Sequence, residues 1–340
     1  MPSNELATPH SFASDNWSGI HPEVLAAITA ANTGAARAYG GDAWTERFQQ
    51  VARELFGAET EAFPVFNGTG ANVLALQAAT PRWGAVICAR NAHINTAETG
   101  APEKTGGLKL LPLEGEHGKL TPEIVAREAW GWGDEHRASP DVVSISQVTE
   151  VGTCYTPDEI RALADQAHEL GMLLHVDGSR LGNAAAHLGT SLAAITNDAG
   201  VDLLSLGGTK NGALAAEAVV VLRPGSTPGI TSLRKMNLQL SSKMRFISAQ
   251  LTALYGGDLW LRSARHANAM ADRLAEGLEP LGATLLHPVE SNAVFCELDP
   301  EVAARADLRT SRGKGNTYRL MCAFDTTPEA VDELLATLRG

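Results

Sequence analysis

Short apolar runs and longer amphipathic stretches alternate along residues 1–240, and each change of rhythm marks an element. Val142-Val143-Ser144-Ile145-Ser146 reads as a strand. Thr156-Pro157-Asp158-Glu159 then gives a helix start, with Thr as cap, Pro in the first turn and Glu three residues on. That helix is predicted to run to Leu170 and to stop at Gly171, and the next strand covers Met172 to Val176. Strand, helix, strand with short connections is a βαβ unit, so the sheet is predicted to be largely parallel with helices on both faces. Ala85–Cys88, Val201–Leu206 and Ala218–Leu222 are further strand candidates. After Ser241 the pattern turns helical as far as about Leu281, with a break at Gly256-Gly257. Two more strands, Ala293–Leu298 and Thr317–Cys322, and a helix capped at Thr327-Pro328-Glu329 close the chain. The division expected is an α/β architecture with a large, mostly parallel-sheet domain over residues 1–240 and a smaller C-terminal α/β domain over 241–340. The polar stretch Arg309 to Asn316 reads as a mobile turn.

Composition narrows the class. Hydrophobic residues make up 44% and charged residues 19%, the balance of a soluble globular protein. A formal net charge of -12 and the lack of a long basic run argue against nucleic acid as a partner. No apolar stretch approaches the ~20 residues that span a bilayer. Met1–Leu6 lacks the basic-then-apolar order of a secretory signal, so a cytoplasmic location is expected. Cys88, Cys154, Cys296 and Cys322 are scattered without a C-x-x-C pair, which predicts buried free thiols and no metal site.

Lys210 is the most informative residue. The apolar strand Leu173–Val176 ends in Asp177, and the next apolar run, Val201–Leu206, delivers Lys210 within Gly207-Gly208-Thr209-Lys210-Asn211-Gly212. A strand-end carboxylate followed by a strand-end lysine is the layout of a pyridoxal 5'-phosphate (PLP) site, in which the amine holds the cofactor and the carboxylate pairs with its ring nitrogen. Asn67-Gly68-Thr69-Gly70-Ala71-Asn72 precedes a helical run. Its glycines and helix start suit an anion such as phosphate, although an ordinary structural turn has the same pattern. His93 follows a strand, where an imidazole can stack on a cofactor or relay a proton. Arg180 and Arg319 are candidate clamps for a substrate carboxylate, and an internal ion pair fits their spacing equally.

Together these segments resemble the L-threonine aldolases of the β-eliminating lyase group, PLP enzymes of the aspartate aminotransferase fold (fold type I). The likeness runs through Phe12-Ala13-Ser14-Asp15-Asn16, Tyr39-Gly40-Gly41-Asp42, Val65–Asn72, Ala92-His93, Thr149-Glu150-Val151-Gly152-Thr153, His175–Arg180, Gly207–Gly212, Ser242–Phe246 and Arg319-Leu320-Met321. It implies that Lys210 carries the cofactor, Asp177 pairs with its ring nitrogen, His93 stacks on the ring, and Gly68 and Thr69 bind the phosphate. It also implies that Arg180 contacts the cofactor or the substrate carboxylate, and that Ser14 and Arg319 hold that carboxylate. Lys235 and Arg245 match positions that reach a neighbouring subunit's cofactor phosphate, and Tyr39 lies at the same interface near the substrate. A homo-oligomer, a tetramer built from dimers, is implied.

Two positions depart from the family pattern. Glu150 stands where many relatives carry a second histidine, so His93 and Glu150 are rival bases. Tyr39-Gly40-Gly41-Asp42 replaces a Tyr-Gly-Asp-Asp segment. The activity implied is cleavage of L-threonine or L-allo-threonine to glycine and acetaldehyde. Other reactions of the same fold (β-elimination, transamination, racemisation) and a catalytically silent binding protein are the alternatives.

Overall fold

The computed structural model describes residues 11–308 and 315–340. The seven strands of the main sheet are β1 (Glu61–Val65), β2 (Gly84–Ala89), β3 (Lys109–Leu113), β4 (Ser139–Ser146), β5 (Leu173–Gly178), β6 (Leu203–Gly207) and β7 (Glu217–Val221). They lie in the order β1-β7-β6-β5-β4-β2-β3. β3, β2, β4, β5 and β6 run parallel, as the βαβ pattern predicts. β7 pairs antiparallel with both β6 and β1. The nine residues 208–216 between β6 and β7 are too few for a crossover helix, so the chain must return antiparallel. That tight return carries Lys210.

The central strands are buried on both faces, hence their continuous apolar runs. The capping box forms as the sequence requires: Glu159 N–H donates to Thr156 Oγ1 (3.2 Å) and Thr156 N–H to Glu159 Oε2 (2.7 Å). The helical stretch after Ser241 splits into Arg245–Tyr255 and Leu259–Leu278 on either side of Gly256-Gly257. Both edge strands, β1 and β3, contain a proline that interrupts the strand pattern in the sequence, and a sheet edge is where proline is tolerated.

A second, three-stranded antiparallel sheet joins β8 (Thr284–Leu285), β9 (Ala293–Glu297) and β10 (Thr317–Met321) in the order β10-β9-β8. One apolar cluster surrounds the main sheet and takes in Ile247, Leu251 and Trp260 from the late helices. Another unites Leu274, Val294, Leu320 and Leu335, with Phe12 packed against it. The N-terminal segment therefore crosses to the small sheet, where Met321 N–H donates to Phe12 O (2.8 Å). All four cysteines are buried free thiols. The turn expected over 309–316 falls largely on residues 309–314, outside the described residues, as do Met1–Leu6. No helix of the described residues is long and apolar enough to cross a membrane.

Candidate active site

Ligands in open parallel sheets gather outside the carboxyl ends of the strands. Here β2 leads to His93, β4 to Glu150, β5 carries Asp177 at its last position but one and β6 leads to Lys210. Separate strand ends thus deliver four candidates to one edge of the sheet.

Asp177 is 5% exposed. Its Oδ1 accepts from Ser179 N–H (3.0 Å) and Ser179 Oγ (2.7 Å), and its Oδ2 from Asn72 Nδ2 (2.8 Å). Burial opposes its charge, but the Lys210 ammonium and these hydrogen bonds prevail and hold the carboxyl below its usual range. Burial, with Arg180 adding to it, pulls the Lys210 amine down against the carboxylates of Asp15, Asp177 and Glu217. A lysine moved toward its neutral form is the nucleophile that Schiff-base chemistry needs. Its loop is clamped: Glu217 accepts from Gly208 N–H (2.9 Å) and Thr209 N–H (3.3 Å), and the Tyr255 hydroxyl donates to Gly207 O. Gly207 has no room for a side chain, because an added Cβ would lie 2.7 Å from the Ser179 backbone. Only glycine lets the lysine loop approach the aspartate loop this closely.

The helix Gly68–Ala79 begins beside this pair with Asn67 as its cap. Asn67 Oδ1 takes the Gly70 N–H (2.7 Å) and Asn67 O takes the Ala71 N–H (3.0 Å). Among the described residues the N–H groups of Gly68 and Thr69 form no such bond, which leaves them for an anion at the helix's positive end. Gln239 covers the same turn, donating nothing to it but accepting from Phe66 N–H (3.0 Å).

His93 is held at two points. Its backbone N–H donates to Glu150 Oε1 (2.7 Å), and its Nδ1 lies 2.8 Å from Glu98 Oε1. The hydrogen bond to Glu98 raises the imidazole's basicity against the opposing effect of burial. Glu150 Oε1 also accepts from Ser146 Oγ (2.6 Å), while burial and the nearby Asp177 push its carboxyl up.

Arg180 forms the internal ion pair that its spacing allowed: Nε donates to Asp15 Oδ2 (2.6 Å) and an Nη to Asp15 Oδ1 (2.9 Å). Asp15 also accepts from Asn292 Nδ2 (3.1 Å). Arg319 donates to the carbonyl of Ala13 (3.0 Å), next to Ser14, whose hydroxyl caps the turn Asp15–Trp17. Glu150, Arg180 and Arg319 line one small cleft with Phe295 and Met321. Lys235, Arg245 and Tyr39 lie apart from that cleft. Lys235 sits over the Tyr39 ring at 4.9 Å, and Arg245 donates to the carbonyls of Thr33 (3.3 Å) and Gly34 (3.1 Å). Asp42, in the departing Tyr39–Asp42 segment, caps the helix Ala43–Phe56. A cavity of about 510 Å³ around His168 and Asp202 opens at the opposite edge of the sheet, away from all of these groups.

Sequence reasoning assigned no role to Asp15, Asn72, Glu98 or Asn292. Asp15 and Asn72 stood inside quoted motifs. Glu98 had no signal beyond being an acid five residues after His93.

A family model described as beta-eliminating lyase matches residues 11–301. The chain is 45% identical over 335 residues to a low specificity L-threonine aldolase of Pseudomonas aeruginosa, covering 96% of each chain. Its structure is similar to that of the Leishmania major threonine aldolase, with a TM-score of 0.91, 29% identity, and 97% of this chain and 99% of that one covered. A Thermus thermophilus aspartate aminotransferase variant shares the fold, with a TM-score of 0.71 at 16% identity over 98% and 94% of the two chains. On the family model and the close relative together, this chain belongs to the beta-eliminating lyase family.

Proposed function

We propose that the protein is a PLP-dependent aldehyde-lyase that cleaves L-threonine, L-allo-threonine and other β-hydroxy-α-amino acids to glycine and an aldehyde. The observation that carries this reading is the buried Asp177 carboxylate set against the Lys210 amine beside two free helix N–H groups, in a chain 45% identical to a low specificity L-threonine aldolase. The donor set fits the cofactor: Lys210 for its aldehyde, Asp177 for its ring nitrogen, Gly68 and Thr69 for its phosphate. Bound there, PLP supplies a sink for the electron pair released when the Cα–Cβ bond breaks.

The chain's own residues do the rest. Asp177, held in its charged form, keeps a proton on the ring nitrogen. Arg319 and Ser14 orient the substrate carboxylate, with Arg180 braced by Asp15 behind them, so that Cα–Cβ is the bond that breaks. The β-hydroxyl proton must leave as the bond opens. His93 suits this because Glu98 occupies Nδ1 and leaves Nε2 for the hydroxyl, directly or through one water. Glu150 supports it, since one of its oxygens already accepts from the His93 N–H and from Ser146. Lys235, Arg245 and Tyr39 serve an adjoining subunit, in a homo-oligomer of at least two copies and, by likeness, four.

The test combines a spectrum with an assay. The purified protein is expected to show lysine-bound cofactor absorbance and to form glycine from L-threonine. Lys210→Ala is expected to lose both while keeping the fold by circular dichroism. A reducible cofactor linkage surviving in that variant refutes the lysine assignment. Cofactor absorbance without glycine formation from any β-hydroxy amino acid refutes the aldolase reading.

A further inference from the structure

Glu98 enters the proposed chemistry only as the partner of His93 Nδ1, and it is an acid whose side chain is fully buried beside the site. Its Oε1 lies 2.8 Å from His93 Nδ1 and accepts from Asn72 Nδ2 at 2.9 Å. The same Asn72 nitrogen donates to Asp177 Oδ2 at 2.8 Å. These contacts form one chain, His93–Glu98–Asn72–Asp177.

We propose that Glu98 is a positioning residue: it keeps the His93 proton on Nδ1, so that Nε2 presents a lone pair to the site, and Asn72 ties this arrangement to Asp177. The orientation of Asn72 follows from its neighbours. Turned over, its carbonyl oxygen would face two carboxylates; as placed, its two N–H groups serve both. Glu98 Oε1 therefore receives one proton from Asn72, and its other donor is His93. Glu98 Oε2 is buried without a protein hydrogen-bond partner among the described residues, so every protein donor to this carboxylate sits on Oε1. Glu150 fixes the backbone of His93 and Glu98 fixes its ring, which removes both the rotation and the tautomer exchange that a free imidazole would retain.

His93, Glu98 and Asp177 have ligand atoms within 4.8 Å of one another, a spacing that also suits a cation. Asn72 already bridges the two carboxylates with donors, and the third contact is an imidazole on the same oxygen. The cluster is built to hold protons in order.

An amide in place of the acid reverses the instruction. Glu98→Gln offers the ring an N–H donor as readily as an acceptor, so Nε2 carries the proton more often and the basicity lent by the carboxylate is lost. The experiment reads His93 directly in the holoenzyme. Hydrogen–deuterium exchange at the imidazole C2 position, followed by mass spectrometry of the His93 peptide across pH, gives its titration midpoint. Glu98→Gln is expected to lower that midpoint by about one pH unit, a tenfold change. The acid limb of kcat/KM should move down by the same amount, and kcat at saturating PLP should fall at least about tenfold. Glu98→Asp keeps the charge at a longer reach and is expected to fall between the two. If Glu98→Gln does not fold, the Asp variant decides: its midpoint must lie below that of the parent.

An unchanged midpoint in Glu98→Gln overturns the proposal, whatever happens to turnover, because lost activity without a shifted histidine is a structural defect. The link from tautomer to cleavage rests on the aldolase reading; the link from Glu98 to His93 does not. A shifted midpoint in a protein that cleaves no β-hydroxy amino acid would sink the first and leave the second standing.

Discussion

The two ends of the site are built differently. At the end proposed for the ring, Asp177, Asn72, Glu98 and His93 are linked in series and Arg180 is paired with Asp15, all within a single chain, at distances from 2.6 to 2.9 Å. At the end proposed for the phosphate, Gly68 and Thr69 present bare N–H groups, while Lys235 and Arg245 rest on aromatic rings and backbone carbonyls. The closed end fixes charge and proton positions before anything binds, which is how electrostatic catalysis avoids reorganisation during the reaction. In the proposed function a neighbouring copy completes the open end. The difference predicts that damage at the closed end strikes turnover, and damage at the open end strikes cofactor retention and assembly.

The sharpest way to break that division is Asp177→Asn. The variant keeps the size of the side chain, turns one of its two accepting oxygens into a donor, and cannot sustain the ring-nitrogen charge. Turnover is expected to fall by roughly three orders of magnitude, in line with the loss of a major electrostatic contribution. PLP should remain bound. Steady-state kinetics with a cofactor titration checks both, and activity within about twofold of the parent means that the ring nitrogen has another partner.

The open end is tested by Lys235→Gln combined with Arg245→Gln. On the proposed assignment each substitution takes one positive charge away from the phosphate, so PLP affinity is expected to weaken by about a hundredfold, with kcat at saturating cofactor largely kept. Sedimentation of the parent should show a dimer or larger species. A fully active monomer would mean that these cations serve no neighbour and that the open end is complete as it stands.

The same contrast explains what the sequence revealed. Asp177 and Lys210 were legible because apolar strands point at them and strand order brings strand ends together. The capping box at Thr156 was legible because it is local. β3 was not: Pro112 breaks its pattern, and only pairing with β2 makes it a strand. The antiparallel return of β7 also depends on pairing, although the short 208–216 loop contains the reason. Asp15 and the bridging role of Asn72 were missed because their partners lie across the fold, Arg180 165 positions from Asp15 and Asp177 105 from Asn72, while Glu98, only five positions from His93, belongs to no motif. Periodicity carries no information about such contacts. Lys235, Arg245 and Tyr39 entered by resemblance alone, and the single chain gives them no acidic partner among the described residues.

The closed end also governs the layer behind it. His175 lies two residues before Asp177 on β5, on the same face of the strand. It is fully buried, with Nδ1 2.9 Å from Ser144 Oγ and Nε2 3.0 Å from Ser205 Oγ. Burial brings its imidazole down to about 4, although Asp177 pulls the other way. The folded protein thus keeps this ring neutral. In the unfolded chain the same histidine titrates near its ordinary value, about 6.5. The unfolded state therefore binds a proton at a pH where the folded state does not. The stability held by the neutral ring is complete above about pH 6.5 and declines as pH falls toward about 4. Between pH 7 and pH 5 the loss expected is about 2 kcal/mol. Urea unfolding at fixed protein concentration should show it as a falling midpoint, and His175→Asn should flatten the slope by the same amount. The variant has its own cost in packing, which is independent of pH, so only the slope is diagnostic. A parent slope that His175→Asn leaves unchanged would mean that the ring is not kept neutral, and that charge is tolerated behind Asp177 as well as in front of it.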